Sequence, residues 1–99
     1  IVVCANKTKA WKRPFDGKIT TDIDASILTD HMMLEATELG LGSVWICYFN
    51  PDILKEELNL PENLEPVNIL ALGYSDELDA SAERHKDMRI GMDELVSYL

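Results

Sequence analysis

The order of predicted elements in this 99-residue chain is strand, helix, strand, helix, strand and polar tail, which by itself favours an α/β fold. Short β-branched and apolar runs predict the strands, and apolar side chains at helical spacing predict a long first helix. The composition is that of an ordinary globular protein, with 46% hydrophobic and 27% charged residues. The length allows at most one small domain, and no run approaches the roughly 20 apolar residues of a membrane helix.

The chain opens on a predicted buried strand over residues 1–6, which begins with three β-branched residues. Because a natural chain rarely begins inside a strand, we expect this sequence to be a piece of a longer protein. Residues 6–20 are predicted to be an exposed loop with a turn at Phe15-Asp16-Gly17-Lys18. This loop carries five of the nine basic residues. Trp11 within it could cover a bound ligand or pack against its own domain.

A long helix is predicted to follow, with Thr21 as its N-cap and Gly40 just past its end. Ile27 and Leu34 lie seven residues apart and, at about 100° per residue, project nearly opposite the main apolar stripe. His31 beside them is expected to be an interface or core histidine rather than a catalyst. A helix that is apolar on two sides needs cover on two sides, so we expect a partner or a further segment. The main stripe consists of Ala25, Leu28, Met32, Ala36 and Leu39.

The second half of the chain alternates again between strand and helix signals. Residues 44–49 predict a strand, and Asn50-Pro51 predicts a short helix with an asparagine cap and proline in its first turn. Residues 67–72 predict a third strand, closed by Gly73. Residues 74–91 are predicted to form a mobile tail, and a final helical pattern follows at residues 92–96.

Charge and cysteine content limit the classes of function. The net charge of −9 disfavours nucleic acid as a partner, since such binding rests on basic surfaces facing phosphates. Cys4 and Cys47 sit far apart in separate apolar runs, which predicts buried free thiols in a reducing cytoplasm. Together with His31 and His85 they match no metal-ligand spacing, so no metal site is predicted.

Three blocks of the sequence resemble the FMN-dependent nitroreductase family. The first is His31-Met32-Met33-Leu34-Glu35-Ala36-Thr37-Glu38-Leu39-Gly40-Leu41-Gly42-Ser43-Val44-Trp45-Ile46. The second is Leu60-Pro61-Glu62-Asn63-Leu64-Glu65-Pro66-Val67, which leads into Leu70-Ala71-Leu72-Gly73-Tyr74. The third is Arg84-His85-Lys86-Asp87-Met88-Arg89, followed by Asp93-Glu94-Leu95. Three blocks in order and at fitting spacing resemble the C-terminal half of the family domain.

The resemblance replaces the α/β expectation with an α+β fold. It implies a mostly antiparallel sheet packed with a long central helix and incomplete without the N-terminal half. It further implies a cytoplasmic homodimer that holds FMN at its interface and passes electrons from NAD(P)H to nitroaromatics, quinones or similar acceptors. The flavin carries this chemistry, so no side chain is assigned as catalytic. No membrane partner and no metal are implied.

The family's flavin-contacting stretch falls on the segment after the long helix. In the family the backbone of this stretch approaches the flavin ring. Here Trp45 stands in place of a proline found in some members, and Cys47-Tyr48 in place of a Glu-Gly pair, so a backbone role can survive, whereas a side-chain role of the glutamate cannot. The alternative is a buried strand entered through a glycine turn. The matching residues are Gly42, Ser43, Val44, Trp45, Ile46 and Cys47, with Tyr48 beyond them.

The family's phosphate-binding basic pair falls in the tail. Arg89 is the best match, with Lys86 or Arg84 as the second residue, since arginine can hold a phosphate through two parallel hydrogen bonds. Ile90-Gly91 stands where the family often has Lys-Pro. The alternative is solvated charge in a loose tail.

Two functional readings therefore stand. The first is an NAD(P)H-dependent flavin oxidoreductase of which this chain is a portion that alone binds FMN weakly or not at all. The second is a truncated, cofactor-free interaction module that acts through the second apolar face of the long helix, at Ile27 and Leu34.

Overall fold

The computed structural model describes residues 1–76, 81–86 and 88–98. Residues 77–80 and 87 of the predicted tail lie outside the described part. After the third strand come a 3₁₀ turn over Ala82–His85 and a four-residue helix. In chain order the strands and helices are β1 (Val2–Asn6), α1 (Thr21–Glu38), β2 (Gly42–Ile46), α2 (Pro51–Glu57), β3 (Leu64–Gly73) and α3 (Met92–Leu95).

The three strands form one sheet in the order β1-β3-β2, and both pairings are antiparallel. The fold is therefore α+β, and the α/β class favoured by element order alone is wrong. Since β1 and β2 both run opposite to β3, they run parallel to each other, as a helix crossover between two strands allows. Strand β3 inserts between them, so the alternation of elements does not produce a parallel sheet.

Helix α1 lies against all three strands, and its buried face is narrow and made of small residues. Ala25, Thr29 and Ala36 are its buried positions. The predicted stripe is therefore partly wrong, since Leu28 and Leu39 are more than half exposed. A narrow face of small residues lets the helix approach the sheet closely, and larger side chains flank that contact.

The opposite face of α1 is exposed, as the spacing of its apolar residues indicated. Ile27 and Leu34 are both more than half exposed, and Ile23 extends the same stripe with 55% exposure. His31 beside them is exposed rather than buried in the core. Nothing in the described part of the chain covers this stripe of three large aliphatic side chains.

A buried polar pair joins α1 to β3. The Thr29 hydroxyl donates to the carbonyl of Ala25 at 2.8 Å, and the Asn68 amide donates to that hydroxyl at 2.9 Å. Thr29 is 0% and Asn68 1% exposed, so neither group can turn to water. Because a buried amide is costly without a partner, this pair fixes how the helix sits on the sheet.

Local capping signals define the helix ends. Gly40 has φ +72°, and the amides of Gly40 and Leu41 bond to the carbonyls of Thr37 and Ala36, which is a Schellman ending. Asn50 caps α2 through hydrogen bonds from the two amides that follow Pro51, as predicted. Thr20, not Thr21, occupies the N-cap position of α1, and its side chain makes no capping hydrogen bond.

The strand boundaries differ from the predicted ones. Strand β2 begins at Gly42 and ends at Ile46, because the amide of Phe49 turns back to the carbonyl of Cys47 at 3.2 Å. Strand β3 begins three residues before the predicted start, and a bulge between Val3 and Cys4 accommodates Pro66 opposite Cys4. No helix in the ranges that the structure describes is long and apolar enough to cross a membrane.

Candidate functional site

Strand β2, which holds the predicted ring-contacting residues, forms one edge of the three-stranded sheet. Leu70 exchanges two hydrogen bonds with Ile1, so its backbone amide and carbonyl point toward β1. Trp45 lies opposite Leu70 in the register and is therefore in a non-hydrogen-bonded pair with it. The amides and carbonyls of Trp45 and of Ser43, two residues earlier, consequently face the open edge.

The backbone amides and carbonyls of Val44 and Ile46 point toward β3 instead of the open edge. Val44 and Ile46 lie opposite Ala71 and Ile69, at positions where the backbone groups bond to β3. The open edge therefore presents hydrogen-bonding backbone groups at alternate positions, Ser43 and Trp45. An open strand edge of this kind can bind either another strand or the polar rim of a ligand.

An open groove of about 340 Å³ lies where β2 begins and β3 ends. Gly42 and Gly73 face each other across the two strands, and a Cβ on Gly42 would approach the carbonyl oxygen of Gly73 to 3.4 Å. The pair of glycines thus leaves this end of the sheet without side chains. The groove residues outside the predicted set are Ala71, Leu72, Gly73, Tyr74 and Ser75.

The side chains of β2 alternate between the two faces of the sheet. Trp45 shares a face with Leu70, and its indole Nε1 is buried without a hydrogen-bond partner in the described part of the chain. Val44 projects from the other face and is 60% exposed. Strand β2 therefore has one partly buried face, and its other face and its outer edge are open in the described part of the chain.

Two of the residues singled out after β2 are also exposed. Cys47 is an exposed free thiol, which corrects the prediction of a buried one, and Tyr48 is fully exposed. Cys4 is a free thiol of intermediate burial. Burial, followed by the negative charge of Glu65, raises the pKa of the Cys4 thiol, so it stays protonated at neutral pH.

The predicted phosphate-binding residues lie in and after the 3₁₀ turn. Lys86 forms an ion pair with Glu83, and Arg84 donates from Nη1 to the carbonyl of Ser81 at 3.0 Å. Desolvation first, and then the positive charges of Arg84 and Arg89, lower the pKa of His85. Two cations of this stretch, Arg84 and Arg89, therefore lie near the imidazole of His85 and make its surroundings electropositive.

The structure does not bring the basic turn to the β2 edge. Among the described residues, neither the 3₁₀ turn nor α3 packs against β2 or any other helix or strand. The predicted site is thus divided into an edge-and-groove part on the sheet and a separate basic part after it. The described residues contain no cluster of histidine, cysteine and carboxylate groups that could hold a metal ion.

Sequence reasoning missed the contribution of β3 to the groove. Gly73 and its neighbours were assigned only to the end of a strand, because their pairing with Gly42 spans thirty-one residues. The available signal was the pair of glycines at the ends of two neighbouring strand patterns.

Comparison with known proteins gives a consistent result. The Nitroreductase family model matches residues 1–74. An Archaeoglobus fulgidus protein named "Putative NADH dehydrogenase/NAD(P)H nitroreductase" is 38% identical over 84 residues, which cover 80% of this chain and 46% of that protein.

Solved structures agree with this match. A nitroreductase family protein from Clostridium difficile 630 superimposes with a TM-score of 0.92 at 63% identity, covering 98% of this chain and 56% of that one. A family member from Clostridium novyi NT gives 0.65 at 37% identity, covering 74% and 40%. The chain thus spans about half the length of the relatives it matches. On this family match and these relatives, the chain belongs to the nitroreductase family.

Proposed function

We propose that this chain is part of a flavin-dependent oxidoreductase that passes electrons from NAD(P)H to nitroaromatics, quinones or similar acceptors. Its family membership supports the class of reaction. The observation that carries the proposal is the open β2 edge, where the backbone groups of Ser43 and Trp45 adjoin the glycine-lined groove. The proposal includes a cytoplasmic homodimer with FMN as the cofactor.

The edge and groove fit the ring system of a flavin. A bound flavin supplies the two-electron chemistry, while the protein holds and tunes it. Backbone N–H groups of Ser43 and Trp45 can donate to acceptor atoms on the rim of a planar heteroaromatic ring. Gly42 and Gly73 leave room for close approach, and exposed apolar surface at Val44 can pack against such a ring.

The residues predicted to bind the FMN phosphate fit that role less well within this chain. Lys86 and Arg89 have the right chemistry, but Lys86 is paired with Glu83, and the turn does not pack against β2. We therefore expect the isolated chain to bind FMN weakly. A second copy or a further segment would have to bring cations to the flavin held on β2.

An FMN titration of the ¹⁵N-labelled chain tests the role of β2. The expected result is that the amide signals of Ser43 and Trp45 shift more than those of Val44 and Ile46. Ile46 is the internal control, because it lies in the same strand and its N–H points to β3 rather than to the open edge. Shifts confined to other parts of the chain, or equal shifts at all four amides, would refute the proposed role of β2.

Riboflavin, which lacks the phosphate, separates the two parts of the site. At equal concentration, both flavins should perturb Ser43 and Trp45, whereas only FMN should perturb Lys86 and Arg89. A phosphate near Arg89 should also raise the lowered pKa of His85, because an anion favours the imidazolium. Equal effects of both flavins on the basic turn would contradict its assignment as a phosphate site.

A second candidate function rests on the exposed stripe of α1. Ile23, Ile27 and Leu34 are each more than half exposed, as an interaction face without a cofactor requires. Replacing Ile27 and Leu34 with Glu should abolish self-association or partner binding through this face. Unchanged oligomeric state and solubility in the double variant would rule this candidate out.

A further inference from the structure

The exposed stripe of α1 has carboxylates on both of its sides. With Ile27 as the reference, Asp30 projects about 60° to one side and Glu38 about 20° to the other, at about 100° per residue. Both carboxylates are exposed, and neither forms an ion pair in the described part of the chain. Helix α1 contains no lysine or arginine. The stripe of Ile23, Ile27 and Leu34 therefore suits an apolar surface that is accompanied by cations.

The loop before α1 has the opposite charge. Residues 7–18, called here the basic loop, contain five basic residues and one acidic residue, Asp16. The other 87 residues carry four basic and seventeen acidic residues. The chain thus contains both members of a complementary pair of surfaces, an acidic one on α1 and a basic one just before it.

The backbone of the basic loop places an aromatic ring and two cations on one face. Lys12 and Ile19 form an antiparallel bridge, and the amide of Arg13 donates to the carbonyl of Lys18 at 3.0 Å. Because side chains alternate along paired strands, Arg13 and Lys18 share the face opposite Lys12 and Ile19. Trp11 precedes Lys12, so it lies on the face of Arg13 and Lys18, and it is 65% exposed.

The basic loop cannot cover the stripe of its own helix. Lys18 lies three residues before Thr21, where α1 begins. Leu34 and Glu38 follow Thr21 by thirteen and seventeen residues, which is about 20 and 26 Å along a helix axis. The loop therefore stays at the N-terminal end of the stripe, and the far end needs a different source of cations.

A second copy of the chain can supply them. A two-fold axis level with the midpoint between Ile23 and Leu34 sets the two α1 helices antiparallel. Ile23 of one copy then lies opposite Leu34 of the other, and Ile19 lies level with Glu38. Lys18, next to Ile19, is consequently brought to the end of the stripe that the other copy's own loop does not reach. The two-fold axis repeats this contact, so both stripes are covered.

We propose that a second copy of this chain covers the exposed stripe of α1, with the helices antiparallel and each basic loop against the far end of the other helix. The stripe supplies the apolar area, and the loop supplies the cations without which two acidic helices repel each other. The interface is small, so its dissociation constant should be roughly 10–500 µM. The inference rests on the proposed function only in expecting a homodimer, and it does not involve the flavin.

Sedimentation equilibrium of the chain without flavin tests the association. From about 20 µM to about 1 mM, the weight-average mass should rise from mostly monomer toward dimer. A chain that is still monomeric at about 1 mM would overturn the proposal and leave the stripe to a different partner or to a further segment.

Charge reversal tests which surfaces meet. Lys18→Glu and Glu38→Lys should each weaken self-association about tenfold, because each homodimer then has two like-charge contacts. An equimolar mixture of the two variants should associate to within about threefold of the original chain, since both contacts again join opposite charges. Glu57→Lys lies on α2, away from both surfaces, and should change association less than about twofold. A mixture that associates no better than its components, or equal weakening by Glu57→Lys, would overturn the proposal.

Nuclear Overhauser contacts between a labelled and an unlabelled copy locate the interface directly. They should join the methyl groups of Ile23 in one copy to those of Leu34 in the other. Contacts only between β2 strands would overturn the proposal. Since none of these measurements contains FMN, their failure leaves the FMN response of Ser43 and Trp45 unaffected, and the two proposals can fail separately.

Discussion

Replacing Thr29 with Val removes the hydroxyl that the buried Asn68 amide uses as its partner. The amide donates to this oxygen at 2.9 Å, and Asn68 is 1% exposed, so water cannot take the place of the hydroxyl. An orphaned buried polar group costs about 1–3 kcal/mol. Thr29→Val should therefore lower the free energy of unfolding by roughly 2 kcal/mol.

Replacing Asn68, the other partner of the pair, should lower the free energy of unfolding by less. In Asn68→Leu the Thr29 hydroxyl keeps its hydrogen bond to the carbonyl of Ala25 at 2.8 Å, so its donor remains satisfied. Combining Thr29→Val with Asn68→Leu leaves no orphaned group and exchanges a polar pair for an apolar pair of similar shape, which is often nearly neutral. The double variant should thus be more stable than Thr29→Val alone.

Urea unfolding followed by circular dichroism measures this cycle. With a slope of roughly 1–2 kcal/mol per molar urea, a loss of about 2 kcal/mol lowers the midpoint by roughly 1–2 M. The coupling energy of the cycle should be about 1 kcal/mol or more, with the sign that makes the double variant better than additive. Additive losses, or an unchanged midpoint for Thr29→Val, would refute the claim that the pair fixes α1 on the sheet.

Three further predictions follow from local features. At neutral pH a thiol reagent should modify exposed Cys47 at least about tenfold faster than Cys4, whose thiol pKa is raised by burial and Glu65; comparable rates in the two single-cysteine variants would contradict this. Gly40→Ala should destabilise the fold by about 1–2 kcal/mol, because φ is +72°; an unchanged thermal midpoint would show that the ending tolerates a Cβ. The Arg13 hydrogen bond and then the Lys18 amide lower the pKa of Asp16, so the turn should be fully ordered above pH 3.8 and lose this contribution as the pH falls through the lowered pKa. NMR of the loop amides from pH 6 to about 2 checks this, and order that is independent of pH would contradict it.

Features set by neighbouring residues could be predicted from the sequence. The Schellman ending at Gly40 and the Asn50-Pro51 start of α2 each depend on contacts over two to five residues, and both occur as expected. The exposure of Ile27 and Leu34 also followed from spacing, since their direction on the helix is fixed by its period.

Features set by distant residues could not be predicted. The insertion of β3 between β1 and β2 depends on pairing residues such as Val2 and Ile69, which no local pattern encodes. Thr29 is buried because Asn68, thirty-nine residues away, supplies its partner. For a polar residue on a helix, exposure is otherwise the ordinary expectation.

The same distinction applies to the candidate site. The resemblance assigned a flavin-binding role to residues 42–47, but which of their amides face the open edge depends on the register with β3. Cys47 was expected to be buried because it follows an apolar run, yet β2 ends at Ile46 and the chain turns outward. The separation of the basic turn from that edge is likewise not encoded in the spacing of the blocks, because it depends on whether the tail packs against the sheet.

Amide hydrogen exchange along β2, with and without FMN, tests the central claim most directly. In the free chain Ser43 and Trp45 should exchange faster than Val44 and Ile46, because only the latter two amides bond to β3. Saturating FMN should then slow exchange at Ser43 and Trp45 while leaving Val44 and Ile46 unchanged. Exchange that FMN slows elsewhere in the chain but at none of these four amides, or at all four equally, would contradict the assignment of the β2 edge as the surface that holds the flavin.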